Sequence, residues 1–409
     1  MVLLLQNCTV FDGRSAELQE GRTLVIEDGT IREIASAAFP IATETRCIDA
    51  GGRFVMPGLI DAHFHAYGLE LNPALIDRVA PQLRALRAKK LLEEALQRGF
   101  TTVRDAAGGD LALATALHTG LIEGPRLFYP GLALSQTGGH GDLREPAHEG
   151  ACACAYVGAL SVVADGPTEV RKAVREQLRT GAHQIKLFVS GGVLSPTDPI
   201  WMNQFSEEEI RAAVEEAATR RVYVMAHAHT NEAVLRCLRC GVRSIEHATL
   251  VESSGALAIA EHRAFAVPTL AIIDAIRSEG PSLGLPAAMK GKIAEIGDVA
   301  NLSLERLRNA NAMIGFGTDL LGHLMCRQSS EFHLRREVCT PIEILRSATS
   351  VNADLLQMAG KLGAIATGAL ADILVIDGNP LTDITVLERR DAIRVIIRDG
   401  RICKNDLDS

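Results

Sequence analysis

His63 and His65 stand two residues apart at the end of the apolar run Leu59-Ile60-Asp61-Ala62, which is entered from a Pro57-Gly58 break. Such a run reads as a buried strand, and on a strand residues i and i+2 point to the same face. Two imidazoles side by side can grip one metal ion. By itself the triplet fits a pair of solvated loop histidines as well. Lys186 is the second unusual residue. In Gln184-Ile185-Lys186-Leu187-Phe188-Val189-Ser190, alternation puts Ile185, Leu187 and Val189 on one face and Lys186 on the other, with Gln184, Phe188 and Ser190. An ammonium buried there is costly unless it is neutral, paired or chemically altered. A carboxylate partner such as Asp61 or Asp105 is one solution. A depressed pKa and reaction with CO2 is another, giving a carbamate whose two oxygens can bridge two cations. His227 closes the run 222–227, His247 closes 244–247, and Asp319 closes Gly315-Phe316-Gly317-Thr318-Asp319. Singly, each has an ordinary explanation: a satisfied structural histidine, or an aspartate capping the next helix.

These residues need a frame that gathers strand ends. Eight strand-like runs, 59–65, 101–105, 126–131, 184–190, 222–227, 244–247, 265–270 and 314–319, alternate with amphipathic stretches such as 74–97, 168–180 and 207–220. Ser206 and Glu209 make a capping box for the last of these, and Gly181 and Gly241 stand where helices should end. The alternation predicts an α/β chain folded as a (β/α)8 TIM barrel over residues 57–359, with chemistry at the C-terminal strand ends. Residues 1–56 and 360–409 read instead as short strands joined by Gly turns, with Asp28-Gly29 and Asp399-Gly400 as hairpin signals. They predict one small β-sandwich built from both termini.

A net charge of −8 from 42 basic and 50 acidic residues, with no basic cluster, argues against a nucleic-acid partner. Nine scattered cysteines suit reduced thiols in a cytoplasm better than a disulfide framework. No apolar stretch approaches a membrane span, and the start has no secretion-type h-region, so a cytoplasmic, non-membrane protein is expected.

Four histidines, a lysine and an aspartate thus fall at strand ends of one expected barrel, in the order His-x-His, Lys, His, His, Asp. This pattern resembles the amidohydrolase superfamily, and the resemblance covers nearly the whole chain. It implies a binuclear site, usually zinc: His63, His65 and Asp319 on one metal, His227 and His247 on the other, and carboxylated Lys186 bridging them. Two cations sharing a water lower its pKa, and Asp319 is then the natural acceptor of its proton and donor to a leaving amine. Around the metals, Gly138-Gly139-His140-Gly141-Asp142 opens a long loop running to about Asp165. It reads as a substrate lid whose His140 hydrogen-bonds the carbonyl or oxyanion, against the plain alternative of a surface loop. His229 shares the inward face of His227 and can meet substrate or stand behind the ligands. The turn Gly191-Gly192-Val193 can present N–H groups to a substrate carboxylate. The pairs Cys152/Cys154 and Cys237/Cys240 have no matching second pair and read as incidental thiols.

The strings 185–199 and Gly317-Thr318-Asp319-Leu320-Leu321-Gly322 are similar to the imidazolonepropionase-related branch, and within it to Xaa-Pro and other Xaa-amino-acid dipeptidases and ochratoxin-hydrolysing amidases. The resemblance implies cleavage of a dipeptide or N-acyl amino acid by a homo-oligomer, releasing a C-terminal amino acid. Many prolidase-like relatives carry tyrosine where this chain has His229, which opens the site to N-acyl aromatic or aliphatic amino acids besides Xaa-Pro. Cyclic-amide hydrolysis of the imidazolonepropionase type is the alternative reaction. A scaffold that has lost its metal is the alternative class, against which stand six competent ligand positions.

Overall fold

The computed structural model describes residues 2–36, 46–144, 157–195, 198–279 and 287–407. Five strands open the chain: β1 (Val2–Val10), β2 (Gln19–Glu27), β3 (Thr30–Ala35), β4 (Arg46–Asp49) and β5 (Phe54–Pro57). Strands and helices then alternate through β6 (Leu59–Phe64), α1 (Pro81–Gln97), β7 (Phe100–Asp105), α2 (Leu111–His118), β8 (Arg126–Phe128), β9 (Ala133–Ser135), β10 (Ser161–Val163), α3 (Gly166–Arg179) and β11 (Gln184–Phe188). They continue through α4 (Glu207–Thr219), β12 (Tyr223–Thr230), α5 (Asn231–Arg239), β13 (Ser244–Leu250), α6 (Ser253–Glu261), β14 (Phe265–Val267), α7 (Leu270–Glu279), α8 (Ala287–Gly297), α9 (Ala300–Asn309) and β15 (Met313–Ile314). Near the C-terminus come β16 (Ile373–Ile376), β17 (Ile393–Arg398) and β18 (Arg401–Asn405).

The chain divides into two compact units, one of residues 1–61, 93–103 and 332–409 and the other of 62–92 and 104–331. In the first, strands from both ends enter one sheet in the order β18-β17-β16-β5-β1-β2-β3, with β4 also on β1. By pairing, strands from both ends of the chain belong to one eight-stranded sheet. Strand β1 serves two parallel neighbours, β4 beside Leu3 to Gln6 and β5 beside Thr9 and Val10. Asp28 and Gly29 form the expected hairpin between β2 and β3, with φ of 49° and 75°, the left-handed pair such a tight turn requires. Its core gathers Leu5, Val10, Leu24, Ile26, Val55, Ile373, Val375 and Val395.

In the second unit, β10-β9-β11-β12-β13-β14-β15 form a parallel sheet, and β6, β7 and β8 pair with one another in a separate ladder. Backbone bonds run from Ala62 N–H to the Phe316 carbonyl and from Asp319 N–H to the His63 carbonyl, both 2.8 Å, so the end of β6 lies beside the segment after β15. The alternation expected around Lys186 holds. Ile185, Leu187 and Val189 pack with Val170, Val174 and Leu178 of α3 and Ile210 and Ala213 of α4, while Lys186 and Phe188 line a cavity. The Ser206–Glu209 capping box is present at α4, and Gly181 and Gly241 both take φ 86° after their helices.

Several boundaries differ from the sequence reading. Strand β14 stops at Val267 because Pro268 has no N–H for the ladder, and Leu270 already opens α7. The last strand shortens to Met313 and Ile314, ahead of two glycines. Strand β12 instead runs on past His227 to Thr230. Strands β9 and β10 are too short to carry a recognisable period. Cys152 and Cys154 lie outside the described residues, and Cys237 and Cys240 are buried free thiols. Among the described residues no helix is long and apolar enough to cross a membrane.

Candidate metal centre

His63, His65, Lys186, His227, His247 and Asp319 all line one cavity of the second unit, together with His140 and His229. Two sets of donor atoms emerge. In His63, His65 and Asp319, and again in His227, His229 and His247, each residue offers one atom within 4.8 Å of the others. Asp319 Oδ1 lies 3.2 Å from His63 Nε2 and 2.9 Å from His65 Nε2, and Oδ2 lies 3.9 Å from His247 Nδ1. Burial alone would raise the Asp319 carboxyl, but His63 and His65 hold it well below the usual carboxylate range, so it is ionised. Burial, reinforced by neighbouring imidazoles, drives His227 and His247 far below the ordinary histidine range. They are therefore neutral, the form that ligates metal.

Backbone conformation brings these groups together. Alternation along β13 directs Ser244 and Glu246 inward and would send His247 outward with Ile245. The left-handed backbone at His247 (φ 71°) and Ala248 (φ 48°) breaks that alternation, and the His247 ring lies 4.9 Å from His63 and 4.5 Å from His227. Asp319 is likewise left-handed, at φ 58°. Gly317 admits the close approach expected of it, since a Cβ there would stand 2.7 Å from His63 Cβ and 2.5 Å from Val267 Cγ1.

Lys186 is almost fully buried, and burial lowers its pKa to about 8 against the pull of Glu246 and Asp319. Among the described residues its ammonium makes no ion pair within 4 Å. Asp105, one of the partners considered, spends its oxygens on the N–H groups of Ala66 (2.6 Å) and Gly109 (2.8 Å). The donor set suits two divalent cations: the neutral imidazoles of His227 and His247, the His63 and His65 rings, an ionised carboxylate and an easily deprotonated lysine around one cavity. His65 Nδ1 is also buried with no hydrogen-bond partner among the described residues.

The Gly191-Gly192 turn does not form the anion nest expected of it. Gly191 N–H donates to the Met202 carbonyl at 2.9 Å and Gly192 N–H to Asp198 Oδ2 at 3.0 Å, so neither is free for a ligand. The turn instead carries the Gly191 carbonyl, 3.0 Å from His227 Nε2, and the Val193 side chain, which lines the cavity. Gly192 must lack a Cβ because the His140 ring packs directly on it. His140 Nδ1 meets Ser195 Oγ (2.9 Å) and Asp198 Oδ2 (3.2 Å), and its ring stacks on His227 at 4.4 Å. His229 Nδ1 is held by Thr249 Oγ1 at 3.0 Å.

Sequence reasoning missed three supporting groups. Glu246 Oε2 lies 2.7 Å from His63 Nδ1, and Arg104 Nη2 donates to both Glu246 oxygens at 2.9 Å, with both side chains fully buried. Asp198 orients His140. For Glu246 the only signal was its inward position on β13, one residue before His247. Arg104 and Asp198 gave none, because their partners are 142 and 58 positions away.

A model of the amidohydrolase family matches residues 54–403. Ochratoxinase of Aspergillus niger is 32% identical over 399 residues, covering 93% of this chain and 82% of that protein. Among solved structures, a prolidase complexed with N-methylphosphonate-L-proline is 44% identical with a TM-score of 0.96, covering 99% of this chain and 100% of the other. A Xaa-Pro dipeptidase with methionine bound in its active site is 30% identical at a TM-score of 0.89, again over 99% and 100%.

Proposed function

The chain belongs to the amidohydrolase family and is a hydrolase of amide bonds; from that premise we propose that it is a binuclear metal-dependent enzyme releasing a C-terminal amino acid from a dipeptide or an N-acyl amino acid. The convergence of His63, His65, Lys186, His227, His247 and Asp319 on one cavity is the observation that carries the reading. His63, His65 and Asp319 would hold one cation and His227 and His247 the other, with zinc the expected metal. His229 completes a third donor of the second set or meets the substrate. In its deprotonated form the Lys186 amine would attack CO2, forming an N–C bond and releasing one proton, and the carbamate would bridge the two positions.

Bound there, divalent cations supply Lewis acidity to the scissile carbonyl and to an attacking water. Asp319 takes a proton from that water at Oδ2, the oxygen not already engaged by His63 and His65, and returns it to the leaving amine. His140 has Nδ1 committed to Ser195 and Asp198, and as an imidazolium paired with the Asp198 carboxylate it would donate from Nε2–H to the developing oxyanion. With Thr249 Oγ1 as the donor to His229 Nδ1, an Nε2–H would remain for the substrate carboxylate. The Gly191-Gly192-Val193 turn contributes the Val193 side chain. The frame proposed for this chemistry is a closed (β/α)8 barrel over 57–359, with 1–56 and 360–409 forming a second, β-rich domain, in a homo-oligomer.

The test is turnover of Xaa-Pro, Xaa-Phe, Xaa-Arg and N-acyl amino acids with metal quantified in the same sample. About two metal ions per chain and release of a free amino acid are expected. A metal-free yet active protein sinks the binuclear mechanism. Turnover of ring amides alone would move the reaction to the cyclic-amide class.

A further inference from the structure

One apolar wall of the cavity has no role in the chemistry above. Helix α7 supplies Ile272, Ile273 and Ile276 to it, and α8 supplies Ile293 and Ile296. All five are buried. β-Branched side chains hold few rotamers, so this surface is stiff as well as apolar. Among the described lining residues the only Lys, Arg, Asp or Glu side chains are Lys186 and Asp319, both assigned to the metal site. A charged substrate group laid on the isoleucines would be desolvated with no partner, at a large cost. The half of a substrate bearing the free carboxylate therefore belongs with the histidines, and the half lacking it belongs on the wall.

One residue ties the wall to the catalytic turn. Lys292, half-buried on α8, donates from Nζ to the carbonyls of Gly192 (2.9 Å), Ser195 (3.1 Å) and Asp198 (2.6 Å). An ammonium has three donors and no acceptor, and here all three find carbonyls of a single turn. The same turn carries Ser195 and Asp198, which hold His140. Next to Lys292 in sequence is Ile293, one turn on is Ile296, and next to Gly192 is Val193; all three line the cavity.

We infer that α7 and α8 form an acyl subsite selective for an uncharged, apolar acyl group, and that Lys292 is the positioning residue that holds this subsite in register with the His140 turn. The inference rests on the amidase reading for what the acyl group is attached to, and within that reading it favours the N-acyl amino acid over the dipeptide, whose acyl half carries an ammonium. It predicts binding that strengthens about fourfold for each methylene buried on the wall.

The experiment uses N-alkylsulfonyl-phenylalanines, which lack a cleavable amide, measured by calorimetry on the metal-loaded protein. Affinity should climb from ethyl to hexyl, and a tail of hexyl length ending in carboxylate should bind more than about tenfold weaker than hexyl. Ile293→Ala and Ile296→Ala should each lose part of the chain-length gain. Lys292→Met should lose it too, and Lys292→Arg, which keeps charge and donors, should restore part of it and serves if the Met variant fails to fold. Equal affinity for all tails, or for hexyl and its carboxylated counterpart, overturns the subsite. A full chain-length gain in Lys292→Met overturns the role of Lys292. Turnover of the matching N-acyl-phenylalanines is read separately, so chain-length-dependent binding without hydrolysis keeps the subsite and sinks the amidase reading.

Discussion

Replacing Glu246 by glutamine should damage both the fold and metal binding, and the two effects can be separated. The Glu246 carboxylate is fully buried, takes both oxygens to Arg104 Nη2 at 2.9 Å, accepts from Ser244 Oγ at 2.5 Å, and lies 2.7 Å from His63 Nδ1. Glu246→Gln keeps the shape and removes the charge, leaving the Arg104 guanidinium buried without a counter-ion. Breaking a buried pair in this way costs about 3–5 kcal/mol. The carboxylate also fixes the orientation and tautomer of His63, and losing such support lowers metal affinity by roughly 10–100-fold. Burial pushes the Glu246 carboxyl up, but Arg104 and His63 outweigh it and hold it at about 2, against an ordinary value of 4.5. A carboxyl depressed in the folded state contributes stability above its unfolded pKa and loses it as pH falls, here between 4.5 and about 2. The acid limb of the stability curve should therefore be flatter in Glu246→Gln than in the parent protein. The assays are urea midpoints across that pH window and chelator competition for bound metal. The double variant Arg104→Met, Glu246→Leu removes both charges and should regain stability, yet not metal affinity, because His63 Nδ1 still lacks its acceptor. Parent-like melting of Glu246→Gln, or parent-like metal affinity in the double variant, would refute the reasoning.

Three further outcomes are expected. Lys186→Met should lower metal content below two ions per chain; in the parent protein stripped of CO2, recovery at fixed dissolved CO2 should accelerate as pH rises through about 8, where burial leaves Lys186 unprotonated, and a pH-independent recovery would argue against the carbamate. Asp319→Asn should lower kcat by roughly 10²–10⁴-fold, the range of a lost general acid–base, in a stopped assay of amino acid release. Gly317→Ala places a methyl 2.7 Å from His63 Cβ and should destabilise by about 1–3 kcal/mol while loosening metal, read by thermal melting and metal analysis, whereas an unchanged protein would mean the strand can shift at no cost.

What the chain declares locally, it declares well. The His63-x-His65 spacing, the inward Lys186 among outward Ile185, Leu187 and Val189, and the Asp28-Gly29 hairpin all follow from near neighbours, because the period of a strand and the hand of a tight turn are local properties. The order of β and α elements gave the α/β class for the same reason. What the tertiary structure alone decided lies where the period is broken or the partner is distant. His247 should face away from the metal site by alternation, and a left-handed φ of 71° turns it in. The Gly191-Gly192 turn had the composition of an anion nest, but Asp198 and Met202 take its N–H groups. Asp198 and Glu246 looked like ordinary acids until His140 and Arg104 arrived beside them from other strands and loops. The isoleucines of α7 and α8 looked like any amphipathic face; only the placement of those helices against the cavity made them a wall. Sequence fixes which way a side chain points along its own element. Which group it meets there depends on strand register and on backbone breaks whose stability comes from the assembled core.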